Sequence, residues 1–79
     1  MTITTSEAII LHKLFSNIEE QIEQQQCVRL EAREGDDIVI LGGVDYDNGV
    51  ITITSVMLNG AYSTKLTNNF QDYLNEKYF

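Results

Sequence analysis

Asp45-Tyr46-Asp47-Asn48-Gly49 sets two carboxylates at alternate positions of a turn-forming segment, a pattern from which a tight loop can converge oxygens on calcium. Counted from Asp45, however, the fifth position is Gly49, the sixth Val50 and the twelfth Val56, where an EF-hand loop needs Asp or Asn, Gly and a bidentate Glu. The segment therefore reads as a hairpin turn whose Asp and Asn serve turn chemistry. Nucleophilic catalysis would require Cys27 and His12, each the sole residue of its type, to meet with a third group to orient the base. No spacing joins them: Cys27 reads as a small buried apolar residue and His12 as a solvated one on the polar side of a helix. Asp36-Asp37 could do acid and base work only in a pocket that drives their pKa values apart, and adjacent turn residues read as solvated instead. Gly42-Gly43 lacks the following helix and lysine of a phosphate-binding loop, and no serine sits in a nucleophile elbow. The expectation is a protein that is not an enzyme, with no cofactor and no metal site.

Charge is the remaining chemical feature. Twelve acidic residues stand against five basic ones for a net charge of −7, which repels phosphate backbones and argues against direct nucleic-acid binding. Residues 1 to 18 and 48 to 79 are each balanced. The whole surplus lies between residues 19 and 47, where Glu19, Glu20, Glu23, Glu31, Glu34, Asp36, Asp37, Asp45 and Asp47 face only Arg29 and Arg33. Glu19 and Glu23 form a like-charge i, i+4 pair that weakens a helix by about 0.2–0.5 kcal/mol, whereas dispersed charges would confer solubility without that penalty.

The elements that must position these residues are legible from periodicity. Thr4 and Glu7 stand in capping-box spacing, and Ala8, Leu11, Phe15, Ile18 and Ile22 then recur at steps of three and four, with Ile10 and Leu14 widening the arc. A long amphipathic helix over Ser6 to Gln26 follows. From Cys27 the period changes to two, with Val28, Leu30 and Ala32 alternating against Arg29, Glu31 and Arg33. Glu34 to Asp37 make a turn. Ile38 to Leu41 is a continuous apolar run suited to a central strand covered on both faces, which Gly42-Gly43 ends or bulges. Asn48-Gly49 and Asn59-Gly60 are hairpin signals on either side of Val50 to Leu58, and Ala61 to Leu66 reads as a fourth strand. Thr67 or Asn68 caps a closing helix in which Phe70, Leu74 and Tyr78 recur at steps of four, with Tyr73 beside them.

With no proline, linker or repeat to divide it, a chain of 79 residues supports one core, so residues 1–79 are read as a single domain. The architecture expected is α+β in two layers: a four-stranded antiparallel meander with a long N-terminal and a short C-terminal helix, in the order α-β-β-β-β-α. No fully apolar run is longer than Ala8 to Leu11, far short of a bilayer span, and Met1 to Ser6 lacks the basic residue of a secretory signal. A single cysteine fits a reducing compartment, and a cytoplasmic location is expected.

In this fold the acidic segment would run along neighbouring elements as a ridge on one side of the molecule. Its partner-binding residues would be Glu19, Glu20, Glu23, Glu31, Glu34, Asp36, Asp37, Asp45 and Asp47, with exposed Tyr46 or Tyr62 as aromatic anchors. In size, acidity and lack of catalytic residues the chain resembles, as a class, the small inhibitors of phages and other mobile elements, including anti-CRISPR and anti-restriction proteins that mimic DNA. That resemblance implies a protein-binding inhibitor, in the host cytoplasm if phage-encoded, docking on a basic surface that normally grips nucleic acid. Two other classes fit the same residues: an immunity protein or antitoxin neutralising a basic toxin, and a homodimeric assembly or adaptor protein that gains core by association.

Overall fold

The computed structural model describes residues 4–25 and 28–78; Cys27 lies outside them. The elements run α1 (Thr5–Gln24), β1 (Arg29–Glu34), β2 (Ile38–Asp45), β3 (Val50–Leu58), β4 (Ala61–Tyr62) and α2 (Thr64–Tyr78), and the strands form one antiparallel sheet in the order β1-β2-β3-β4. This is the two-layer α-β-β-β-β-α meander that the periodicities imply. Among the described residues no helix is long and apolar enough to cross a membrane.

α1 starts as the spacing requires. Thr4 Oγ1 accepts from the Glu7 amide and the Glu7 carboxylate accepts from the Thr4 amide, so two of the orphan donors at the helix start are satisfied reciprocally. Leu11, Leu14, Ile18 and Ile22 are its buried stripe, and Gln25 ends it in the left-handed region. They meet Leu30 and Ala32 of β1, Ile38, Ile40 and Val44 of β2, and Ile51, Ile53, Val56 and Leu58 of β3, with Phe70 and Leu74 from α2 closing the core. Both helices cover this one face, α1 chiefly over β1 and α2 chiefly over β3.

Of the two outcomes expected at Gly42-Gly43, the bulge is found: β2 runs through the glycines to Asp45, and across the ladder Leu41 pairs with Ser55 and Gly42 with Ile53, leaving Thr54 as an extra residue in β3. A Cβ on Gly42 would lie 2.6 Å from the Thr52 carbonyl oxygen, so this close crossing requires glycine. Val39 is covered to 7% exposure yet stands outside the main core, on the helix-free face with its cross-strand partners Arg33 and Met57. Other local expectations are corrected. Ala61 to Leu66 is not a strand throughout. Only Ala61–Tyr62 pairs with β3, and α2 begins at Thr64, before the caps expected at Thr67 or Asn68. Ser63 performs the capping, its hydroxyl accepting from the Leu66 amide and its carbonyl from the Thr67 amide. The two Asn-Gly pairs also differ. Asn59 and Gly60 both have positive φ, as a tight hairpin turn demands, whereas of Asn48 and Gly49 only Gly49 does.

Most of β3 has no strand on its outer side, and α2 seals it. Thr67, Gln71 and Asn75, spaced four apart on one helical face, accept from the amides of Val56, Ile53 and Ile51, and Asn75 also donates to the Ile51 carbonyl. On the opposite edge, Gln21 of α1 reads the backbone of Glu31 in the same two-handed way. Helical amides thus stand in for missing strands at both edges, satisfying backbone groups that would otherwise invite another chain.

Candidate functional site

The antiparallel turns give the molecule, 36 × 20 × 17 Å across, two distinct poles. At the turn pole the Gly60 amide donates to Asp37 O and Asn59 donates to the Glu7 carboxylate, gathering both β-turns and the start of α1. At the opposite, helix-end pole lie the end of α1, the 45–49 hairpin and the end of α2. Asn75 bound to Ile51, Lys77 to Glu19 and Tyr78 to Glu23 hold these together, and the helices run parallel, so both finish here.

This layout parts the acidic residues expected to form one ridge. Glu19, Glu20, Glu23, Asp45 and Asp47 belong to the helix-end pole, together with Glu76 of α2, which sequence reasoning left out. Glu34, Asp36 and Asp37 belong to the turn pole, separated from the others by the length of β2, roughly 23 Å at about 3.3 Å per residue. Glu31 lies between them, held by Arg33 at 2.9 Å; the same guanidinium reaches Asp36 at 3.5 Å. Both pairs are solvent-exposed and contribute little to stability. Tyr46 is not an exposed anchor, since its ring packs against the core, whereas Tyr62 is 52% exposed at the short edge strand.

At the helix-end pole, side chains set the charge pattern. Asp45 accepts from the Asp47 and Asn48 amides and from the Asn48 side chain, and the Asn48 bonds hold its carboxyl below the usual range, so this aspartate is spent on shaping the hairpin. Glu19 accepts from Lys77 at 2.6 Å, an ion pair that keeps the ammonium protonated well above its ordinary pKa. Tyr78 donates to Glu23 at 2.8 Å, and burial first, then that bond, push its phenol up to about 12. The same Tyr78 hydroxyl lies 3.3 Å from the Glu19 carboxylate, so it bridges the like-charged Glu19 and Glu23 while Lys77 neutralises the first. Glu20 accepts only from Gln24, while Asp47 and Glu76 enter no salt bridge among the described residues. α1 carries no basic residue in its last turn.

Between the two parallel helices a groove of about 300 Å³ opens away from the sheet. Its floor is Phe15 stacked on Phe70, ring centroids 3.9 Å apart with planes inclined by 22°, and Tyr73 continues the stack at 6.4 Å. Leu66 adds to the apolar lining, and His12, Ser16, Asn69 and Glu19 make a polar rim. Glu19 joins this groove to the helix-end pole. Sequence periodicity marks Phe15 and Phe70 as core residues; that they meet across two helices is a long-range fact that no local pattern carries. His12 is at the rim, exposed, far from the role of a catalytic base: the groove holds no nucleophile beyond the Ser16 hydroxyl and no carboxylate beyond the paired Glu19. Among the described residues no three His, Cys, Asp or Glu side chains are placed to hold a metal ion.

The fold and surface define a small α+β domain with an acidic helix-end pole, a second acidic cluster at the turn pole and an aromatic groove between the helices. No family model, curated protein or solved structure matches the chain.

Proposed function

We propose that this protein is a small protein-binding inhibitor or adaptor that docks its helix-end pole on a basic, nucleic-acid-binding surface of a partner protein. The observation that carries the reading is the placement of Glu20 and Glu23 in the final turns of α1, where the last turn holds no basic residue and neither glutamate enters a salt bridge among the described residues. A helix ends in partial negative charge, so each carboxylate there opposes the helix dipole by about 0.3–1 kcal/mol at low ionic strength. Stability and solubility would both be served better elsewhere on the surface. A partner's Lys and Arg side chains reverse the sign of that penalty, speed the encounter and select the partner.

Affinity capture from a lysate tests this with two variants beside the wild type. Glu20→Lys, Glu23→Lys, Asp47→Lys and Glu76→Lys together should abolish capture, while Glu34→Lys, Asp36→Lys and Asp37→Lys at the turn pole should leave it intact. Equal yield from all three baits would remove the proposal. The identity of the captured protein then assigns the class: a nucleic-acid-processing defence complex for an anti-CRISPR or anti-restriction type of inhibitor, a cognate basic toxin for an immunity protein or antitoxin.

A further inference from the structure

The interhelical groove lies beside the acidic pole, and its occupant can be narrowed by what its walls offer. Two α-helices bound it, and their interior backbone donors and acceptors are consumed within the helices. An extended peptide laid on the Phe15–Phe70 floor would find no strand edge to pair with, since every residue lining the groove belongs to α1 or α2. A helix arrives with its backbone already paired and packs its side chains into the valley between two others. Exposed apolar surface continues beyond the groove at Tyr73, 48% exposed, and at Ile9, 65% exposed one turn before His12. Charge is one-sided, because the rim reaches Glu19 and the pole bearing Glu20, Glu23 and Glu76, with Lys77 already engaged by Glu19.

We infer that the groove receives an amphipathic helix of the partner whose apolar anchors, spaced three and four apart, sit over Phe15, Phe70 and Tyr73 while Lys or Arg residues at one end of that helix meet the helix-end pole. This rests on the docking role proposed for that pole and adds the form of the partner segment: a basic amphipathic helix, neither a strand nor a small ligand.

The test uses the full chain, isotope-labelled, titrated with a synthetic helical peptide of roughly 15 residues, or about four turns, carrying Leu at positions i, i+3 and i+7 and Lys at one end. Amide shifts should concentrate on Ser16, Leu66, Asn69 and Tyr73. Replacing the peptide's Lys by Glu should weaken binding at least about tenfold. Ser16→Trp and Asn69→Trp fill the groove from exposed positions and leave the core alone; each should weaken binding by about tenfold or more with the rest of the spectrum retained. Absence of saturable shifts, shifts centred on the helix-free face of the sheet, or groove shifts that appear with protein concentration alone would each overturn the inference. If both Trp variants bind the peptide as wild type does while Glu20→Lys with Glu23→Lys does not, the groove is excluded and the acidic docking surface stands; if none of these variants weakens binding, both fail.

Discussion

The two poles of this molecule carry carboxylates in opposite relation to its helices. At the turn pole, Glu7 stands in the first turn of α1, where the helix end is positive, and its carboxylate is built into the capping box and the bond from Asn59. Negative charge there reinforces the fold. At the helix-end pole both helices finish side by side, and Glu20 and Glu23 add negative charge to an end that is already negative, with Lys77 as the one basic side chain in the last turn of α2. Glu7 is wholly structural, whereas Glu20 and Glu23 carry a dipole penalty that only the Tyr78 bond to Glu23 offsets in part. A chain of this size, with one modest core, has little stability to spare. The burden is therefore the part of the surface that stability does not explain.

Reversing the burden gives the largest expected effect. Glu20→Lys with Glu23→Lys should stabilise the free protein by about 1–2 kcal/mol net, because each change replaces an unfavourable charge–dipole contact with a favourable one, which outweighs the roughly 0.5 kcal/mol lost with the Tyr78 bond to Glu23. For a domain of this size that is an upward shift in Tm of roughly 5–10 °C, measured by thermal unfolding at low salt and shrinking as salt is added. The gain in stability should accompany the loss of partner capture. A variant that is both more stable and still fully active in capture would break the comparison between the poles. Next in size, Thr4→Ala at the turn pole should destabilise by about 1 kcal/mol through loss of the cap, with chemical denaturation as the measurement. No change on that substitution would mean that the carboxylate at this pole is as idle as those at the other.

Where the sequence could be read, the controlling interaction was local. The capping box needs only Thr4 and Glu7, and the positive φ shared by Gly49 and Gly60 follows from glycine itself. The buried stripe of α1 and the central strand at Ile38 follow from period and β-branching. Misreadings arose where a distant partner decided. Ala61 to Leu66 follows an Asn-Gly hairpin signal and so reads as a strand, but Ser63 caps the helix and the Thr67 hydroxyl donates to the Ser63 carbonyl and accepts from the Val56 amide across the sheet edge. Tyr46 sits in a turn that would expose most side chains, yet core packing holds it down. Charge surplus could be counted along the chain, but its direction could not, since a single antiparallel traverse of β2 sends Asp36 and Asp45 to opposite poles. The groove was hidden for the same reason: Phe15 and Phe70 each look like core residues of their own helix.

A smaller effect probes how the helix-end pole tolerates its own charge. Tyr78→Phe removes the donor to Glu23 and leaves the ring in place, so it should destabilise by about 0.5 kcal/mol in this half-exposed setting. Combining it with Glu23→Gln should cost little more than either change alone, as a double-mutant cycle measures. Full additivity would show that the phenol does not offset the glutamate.

The pH dependence separates the poles most finely. Glu7 and Asp45 have folded pKa values below their ordinary 4.5 and 3.8, chiefly because Thr4 and Asn48 respectively bond to the ionised forms. Their contribution to stability is therefore complete above those ordinary values and disappears as pH falls through the lower folded ones. Acid should loosen the start of α1 and the 45–49 hairpin, one at each pole. Tyr78 and Lys77 are shifted the other way, the phenol from 10.0 to about 12, so their contribution is present below pH 10 and is lost as pH rises through the folded value. Alkali should then loosen the helix-end pole alone, because the turn pole holds no group shifted in that direction among those whose pKa departs from its ordinary value. Side-chain carbon–proton signals followed between about pH 2 and 12.5 would read both effects: Asp45→Asn should remove the acid response of the hairpin without touching that of Glu7, and Tyr78→Phe should blunt the alkaline response. An alkaline transition centred on Thr4 and Glu7 would mean that the two poles are coupled through the core, and that the charges at one cannot be altered without disturbing the other.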